Sequence, residues 1–261
     1  GPDKGTHPST YAKANADLSN PHMIVPPPLL LTTLGAVPGP ALSPTFRAAA
    51  SATAASGVAL VITKPTGTVD GDFMLMGVTT SLATSADRIV VPSGWTFLLR
   101  EDYTSGTIYF FYRIASSEGA NYTIADNGDA RTGFVLTYSD VSHFHSISIA
   151  DAQEDTAAGT THATPTVVPR FSTHRVISVH AVANDTTTWT PPAGMTERVD
   201  AQGNGFSISA NDVGGSSLSS VSKTATSSAS VIGISAIVII QYVREFTKEV
   251  KFLGLSWIAY G

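Results

Sequence analysis

The chain has no cysteine among its 261 residues, which excludes a disulfide framework and any thiolate metal site. Charge is also scarce: only 13% of residues are Asp, Glu, Lys or Arg, and 15 basic residues against 20 acidic ones leave a net charge of −5. That balance supplies no basic face, so nucleic acid is not an expected partner. No apolar run is long enough to cross a bilayer as a helix. The stretch 23–37 is broken by three consecutive prolines, and 231–242 is too short. No membrane insertion is expected. Motifs for nucleophilic, phosphate, dinucleotide or zinc-peptidase chemistry are missing as well. Gly214-Gly215-Ser216-Ser217 is glycine-rich, but no lysine precedes it and it opens no helix. Stability therefore has to come from packing, to which oligomerisation can add. The first residues, Gly1-Pro2, lack an initiator methionine and read as a processed form, a fragment or a tag-cleavage remnant.

What is present is a high density of short strand signals. The stretch 58–100 organises the rest: Val, Ile, Thr and aromatic runs are punctuated by Gly, Pro, Asp and Ser. Strands are predicted at 45–53, 58–64, 72–80, 96–103, 107–115, 121–125, 132–140, 147–153, 164–168, 175–183, 197–202, 205–211 and 230–242. Ala48 to Ala55 has helical propensity, but Ser and Thr alternate through it and the Ser56-Gly57 turn follows, so it is assigned as strand. Asn127-Gly128-Asp129 carries a hairpin signal. Without a convincing amphipathic helix, the fold class is all-β: an antiparallel β-sandwich of jelly-roll type with an extended N-terminal arm. The domains are a Pro-rich docking arm at 1–44, the sandwich at 45–242 and a contact segment at 243–261. Pro92-Ser93-Gly94-Trp95-Thr96 is echoed by Pro192-Ala193-Gly194-Met195-Thr196, each after a long apolar strand, as two related halves would give.

The series Ile62-Thr63-Lys64-Pro65, Gly71-Asp72-Phe73-Met74-Leu75, Pro92-Ser93-Gly94-Trp95-Thr96 and Tyr109-Phe110-Phe111-Tyr112-Arg113 resembles a jelly-roll domain of bacteriophage tail and fibre proteins. A small-residue stretch from Gly214 to Ser230 ahead of the last apolar strand completes the likeness, which covers about 45–242. The resemblance implies a virion structural protein, a minor tail or fibre component located in the extracellular particle. It also implies other virion proteins as partners and a homo-oligomer, with a trimer among the symmetries to expect. A capsid decoration or head-fibre protein anchored by the arm is one alternative, and a free carbohydrate-binding module is another.

Site chemistry is sparse, and neither a catalytic residue nor a cofactor is assigned. His143 and His145 share one face if extended, and with His162, His174 or His180 as third ligand they would suit Zn²⁺ or Ni²⁺. Surface or loop histidines are the plainer reading, and no metal site is assigned. Asp70-Gly71-Asp72 has turn chemistry without the rest of a calcium loop. Asp140, Asp151 and Glu154 are the carboxylates a glycan hydrolase would use, given a cleft. The aromatics are the better lead, because rings stack on the apolar faces of sugars. Trp189, Trp95 and Tyr122 are the expected contacts to host surface polysaccharide, Trp189 being the most exposed by context. Tyr109 to Tyr112 should send two rings inward and two outward. Assembly contacts are expected from Leu29, Leu30 and Leu31 in the arm and from Phe252, Leu255 and Trp257 in the tail.

Overall fold

The computed structural model describes residues 43–81 and 89–242. The docking arm with Leu29, Leu30 and Leu31, and the tail with Phe252, Leu255 and Trp257, lie outside the described residues. The first seven strands are β1 (Thr45–Ala54), β2 (Leu60–Thr63), β3 (Phe73–Thr80), β4 (Thr96–Tyr103), β5 (Gly106–Ile114), β6 (Asn121–Ile124) and β7 (Arg131–Ser139). Eight follow: β8 (Ile147–Glu154), β9 (Gly159–Ala163), β10 (His174–Val182), β11 (Trp189–Thr190), β12 (Thr196–Gly203), β13 (Phe206–Gly215), β14 (Thr224–Val231) and β15 (Gly233–Gln241).

The antiparallel sandwich expected from the sequence forms, and it forms twice. The first half builds a five-stranded sheet, β1-β7-β3-β5-β4, and a pair, β2-β6. The second builds β8-β15-β10-β13-β12 and a three-stranded β11-β14-β9. Replacing β1, β3, β4, β5 and β7 by β8, β10, β12, β13 and β15 turns the first large sheet into the second. Registers agree too: Thr96 faces Tyr112 as Thr196 faces Asp212, with a bulge between Phe97 and Leu99 and another between Glu197 and Val199. The sequence echo is the turn entering β4 and β12. Trp95 N donates to Pro92 O and Met195 N to Pro192 O, both at 3.0 Å. Gly94 and Gly194 hold φ of 77° and 75°, the left-handed region that a glycine enters freely.

The two large sheets face each other and share one core. Phe73, Leu75, Phe110, Phe134 and Leu136 on one side meet Ile177, Val179, Ile208, Ile234 and Val238 on the other. Their outer faces are covered separately. Met74, Met76, Val78, Tyr109 and Phe111 pack under Leu60, Ile62, Tyr122 and Ile124 of the small sheet. In the second repeat the outer clusters are smaller, one around Val176, Ile237 and Ile239 and one around Val182, Trp189 and Ala225. The result is four layers.

Several expectations change for that reason. The alternation at Tyr109 to Tyr112 is real, but Tyr109, Phe110 and Phe111 are all buried because both faces of β5 are covered. Asn127-Gly128-Asp129 makes a turn without making a hairpin. β6 pairs with β2 while β7 pairs with β1 and β3, so the turn carries the chain between layers. Buried Arg131 fixes that crossing by donating to Ala125 O at 2.5 Å and to Asp126 at 2.8 Å, and also to Val58 O. The strand predicted at 164–168 is only a bridge between Val167 and Val221, and the real strand is β9.

At the seam between repeats, buried Asp212 accepts from Arg175 Nε and Arg198 Nε, each at 2.9 Å, and Arg198 lies 3.9 Å over the Phe46 ring. Phe73 and Tyr112 hold the equivalent places in the first repeat and stack at 6.1 Å. Volume is exchanged in the same way. Gly77 lies between Phe110 and Phe134, whereas its counterpart Val179 lies between Ala210 and Ala236. A Cβ on Gly77 would sit 2.6 Å from the Phe134 ring. Gly77→Ala should therefore lower stability by about 1–3 kcal/mol through overpacking, measured by urea denaturation.

Candidate functional site

The motif residues of the first repeat converge on one rim. The Asp72 carboxylate is buried. It accepts Val69 N at 2.9 Å, which closes the 66–72 turn, and Arg47 Nε at 2.7 Å, which anchors the start of β1. Gly71 N donates to Ala115 O at 2.9 Å and Ser117 N to Asp70 Oδ1 at 2.7 Å, tying this turn to the end of β5. The Asp70-Gly71-Asp72 motif is thus a structural turn. His143 Nε2 lies 2.9 Å from Gly71 O, so the 140–146 loop joins the same rim. His143 and His145 are loop residues there. Among the described residues no three His, Asp or Glu side chains are close enough to hold a metal.

Beside this turn is a recess of about 270 Å³ whose lining includes Ser93, Trp95, Arg113, Glu118, Asn121 and Tyr122. Its size is just below the usual range for ligand pockets, about 300–1,000 Å³. The Arg113 guanidinium is 5.8 Å from the Trp95 ring centre and pairs with Glu118 at 2.7 Å. Tyr122 meets Trp95 edge-on at 5.3 Å and donates to Met74 Sδ at 3.4 Å. Burial, with the Glu118 carboxylate beside it, pushes the Tyr122 hydroxyl pKa well up, so it stays protonated.

Two of the three expected glycan contacts, Trp95 and Tyr122, are therefore brought together, but not as open stacking platforms. Neither is more than 7% exposed. The recess offers polar groups instead: Arg113, Asn121 and Ser93. Arg113 and Glu118 were not singled out from the sequence, although Arg113 closes the fourth motif segment.

Trp189, expected to be the most exposed, is buried in the second repeat. The Thr-rich context suggested a loop, but β11 pairs it with Ser227 of β14 and turns the ring under the small sheet. His162 lies 5.2 Å and His180 5.9 Å from that ring. Around it is a hydrogen-bonded series the sequence did not disclose. Asp155 Oδ2 is 2.5 Å from His162 Nδ1, and His162 Nε2 is 2.8 Å from Ser227 Oγ. The order of groups is that of a nucleophile–base–carboxylate triad. The surroundings are not: Ser227 is 3% exposed and already lies 2.6 Å from Ala229 O, where only its own proton can make the bond. This hydroxyl is a structural link with no substrate access.

Of the three carboxylates weighed for glycan hydrolysis, Asp140 follows β7 with φ 59° and accepts from Ser139. Asp151 and Glu154 lie on β8 near Glu101, whose pKa is raised by partial burial first and then by Asp102, Asp151 and Glu154. Glu154 accepts the Thr104 backbone N–H.

Comparison of the chain with protein-family models, with curated proteins and with solved structures finds no match. The site has to be read from its own geometry.

Because Trp189 is a core residue, Trp189→Ala should lower stability by about 3–5 kcal/mol in a urea titration, whatever the protein binds.

Proposed function

We propose that the chain is a non-catalytic structural protein of a bacteriophage virion, a minor tail or fibre component acting in assembly and in contact with host-surface glycan. The observation that carries this reading is the convergence of the four motif segments on one rim. Asp72, the Pro92–Trp95 turn and Arg113 build a loop platform on a rigid sheet, and that platform surrounds the recess at Trp95. A rigid scaffold presenting loops at one end is a common arrangement for recognition. The nested pairing of β1 with β7, β2 with β6 and β3 with β5 supports the jelly-roll form of the sandwich. Buried aromatics and a polar lining favour hydrogen bonding to sugar hydroxyls or carboxylates over ring stacking, with Arg113 as principal donor. Homo-oligomerisation belongs to the same reading.

An antibody raised against residues 43–242 tests the placement on phage particles grown on the host strain that carries the gene. Gold label at the tail is expected. Label on the head would move the assignment to a capsid decoration protein. Unlabelled particles, with the protein free in the medium, would overturn the virion reading in favour of a free carbohydrate-binding module. For the recess, Arg113→Ala should weaken retention on host-envelope polysaccharide at least tenfold while Trp189→Phe leaves it unchanged.

A further inference from the structure

The two repeats provide an internal control on core composition. In the first, the layer between large and small sheets is apolar around Val78 of β3, with Ile62 and Ile124 from the small sheet over it, and the one buried charge described there, Arg131, stands at the end of the layer paired with Asp126. Register gives the counterparts in the second. Ile62 faces Tyr122 as His162 faces Ala225, and Lys64 N donates to Ala120 O as Thr164 N donates to Lys223 O. His162 therefore replaces Ile62, and Ser227, the next inward residue of β14 after Ala225, replaces Ile124. Val78 lies between Tyr109 and Gly133, while His180 lies between Ser209 and Ser235. Four positions that the fold fills with Ile, Val, Ile and Gly in one repeat hold His162, His180, Ser227 and Ser235 in the other.

We propose that this polar layer is an acid-sensitive latch, holding the small sheet β9-β14-β11 closed on the second repeat near neutral pH and releasing it as pH falls. His180 of β10 is the group that decides it. It is fully buried, its Nδ1 lies 2.9 Å from Ser235 Oγ of β15, and its Nε2 has no hydrogen-bond partner among the described residues. Around it stand His162 of β9 and Trp189 of β11, and Ser209 of β13 faces it across the sheet. Two carboxylates belong to this neighbourhood, and both are already engaged. Asp155 accepts from His162 and from Gly233 N at 2.8 Å, and Asp200 of β12 accepts from Trp189 N at 3.2 Å. A proton on His180 would therefore meet no free counter-charge.

The sign follows from where the proton binds. Burial, and then the neighbouring His162, push the His180 pKa from 6.5 down to about 3. Once the small sheet lifts, the imidazole is in water and takes its proton near 6.5. Between those values only the open form is protonated. Closure is thus at full strength above about pH 6.5 and weakens about tenfold per pH unit below it, roughly 100-fold by pH 4.5. Val78 in the first repeat has no such dependence, so β2 and β6 should stay closed throughout.

Hydrogen–deuterium exchange on the full chain, corrected for intrinsic rates, reads this directly. Between pH 7.5 and 4.5, peptides from β9 and β14 should lose protection about 100-fold relative to those from β2 and β6. His180→Val, which installs the first repeat's residue, should abolish that pH-dependent difference. His180→Gln, which can still bond Ser235, should do the same and serves if the valine variant does not fold. Equal loss in both small sheets, or an unchanged difference in a folded His180 variant, would overturn the latch. No loss in the unmodified protein would overturn it outright.

Discussion

The face shared by the two five-stranded sheets is the constraint on which the rest depends. Each large sheet is buried on both sides, so its central strands do not alternate buried with exposed residues. β3, β7, β10 and β15 are accordingly buried along nearly their whole length. Apolar burial at about 25 cal/mol per Å² favours this stacking, and it leaves few positions where a polar side chain goes unpartnered without loss. The charged groups that enter come as partnered sets: Asp212 with two arginines, Asp72 with Arg47, Arg131 with Asp126 and two carbonyls.

Within that frame the repeats have diverged by exchange at matched positions. Gly77 between two phenylalanines answers Val179 between two alanines, and the Phe73–Tyr112 stack answers the Arg175–Asp212 ion pair. The outer layers differ most. The first repeat keeps a layer that is apolar around Val78, and a loop rim with a recess. The second has a histidine-rich layer, and its Met195 packs where the first has Trp95.

Strand identity was largely legible because Val, Ile, Phe and Tyr mark strands wherever a large sheet is buried twice. The duplication was legible from one turn, since the proline–glycine spacing of Pro92 to Thr96 is dictated by a positive φ at Gly94 that the second repeat needs as well. β14 was not legible as a strand. Its inward residues are Ala225 and Ser227, too small and polar to give an apolar period. Trp189 misled for a related reason: threonines around a lone tryptophan look like a loop, and only pairing with β14 reveals a two-residue strand. The recess was half legible, through Trp95 and Tyr122. The Asp155–His162–Ser227 series depends on Ser227 being brought to His162 across 65 positions, which no local pattern records.

The claim that both repeats form one body through the shared face is tested most directly by urea unfolding near neutral pH. Two reporters suffice, each made in a Trp257→Phe background: Trp95 alone after Trp189→Phe, and Trp189 alone after Trp95→Phe. Corrected for each substitution's own effect on stability, one common midpoint and slope is the predicted result. Two separate transitions, one per tryptophan, would contradict it and make the repeats independent sandwiches that merely touch.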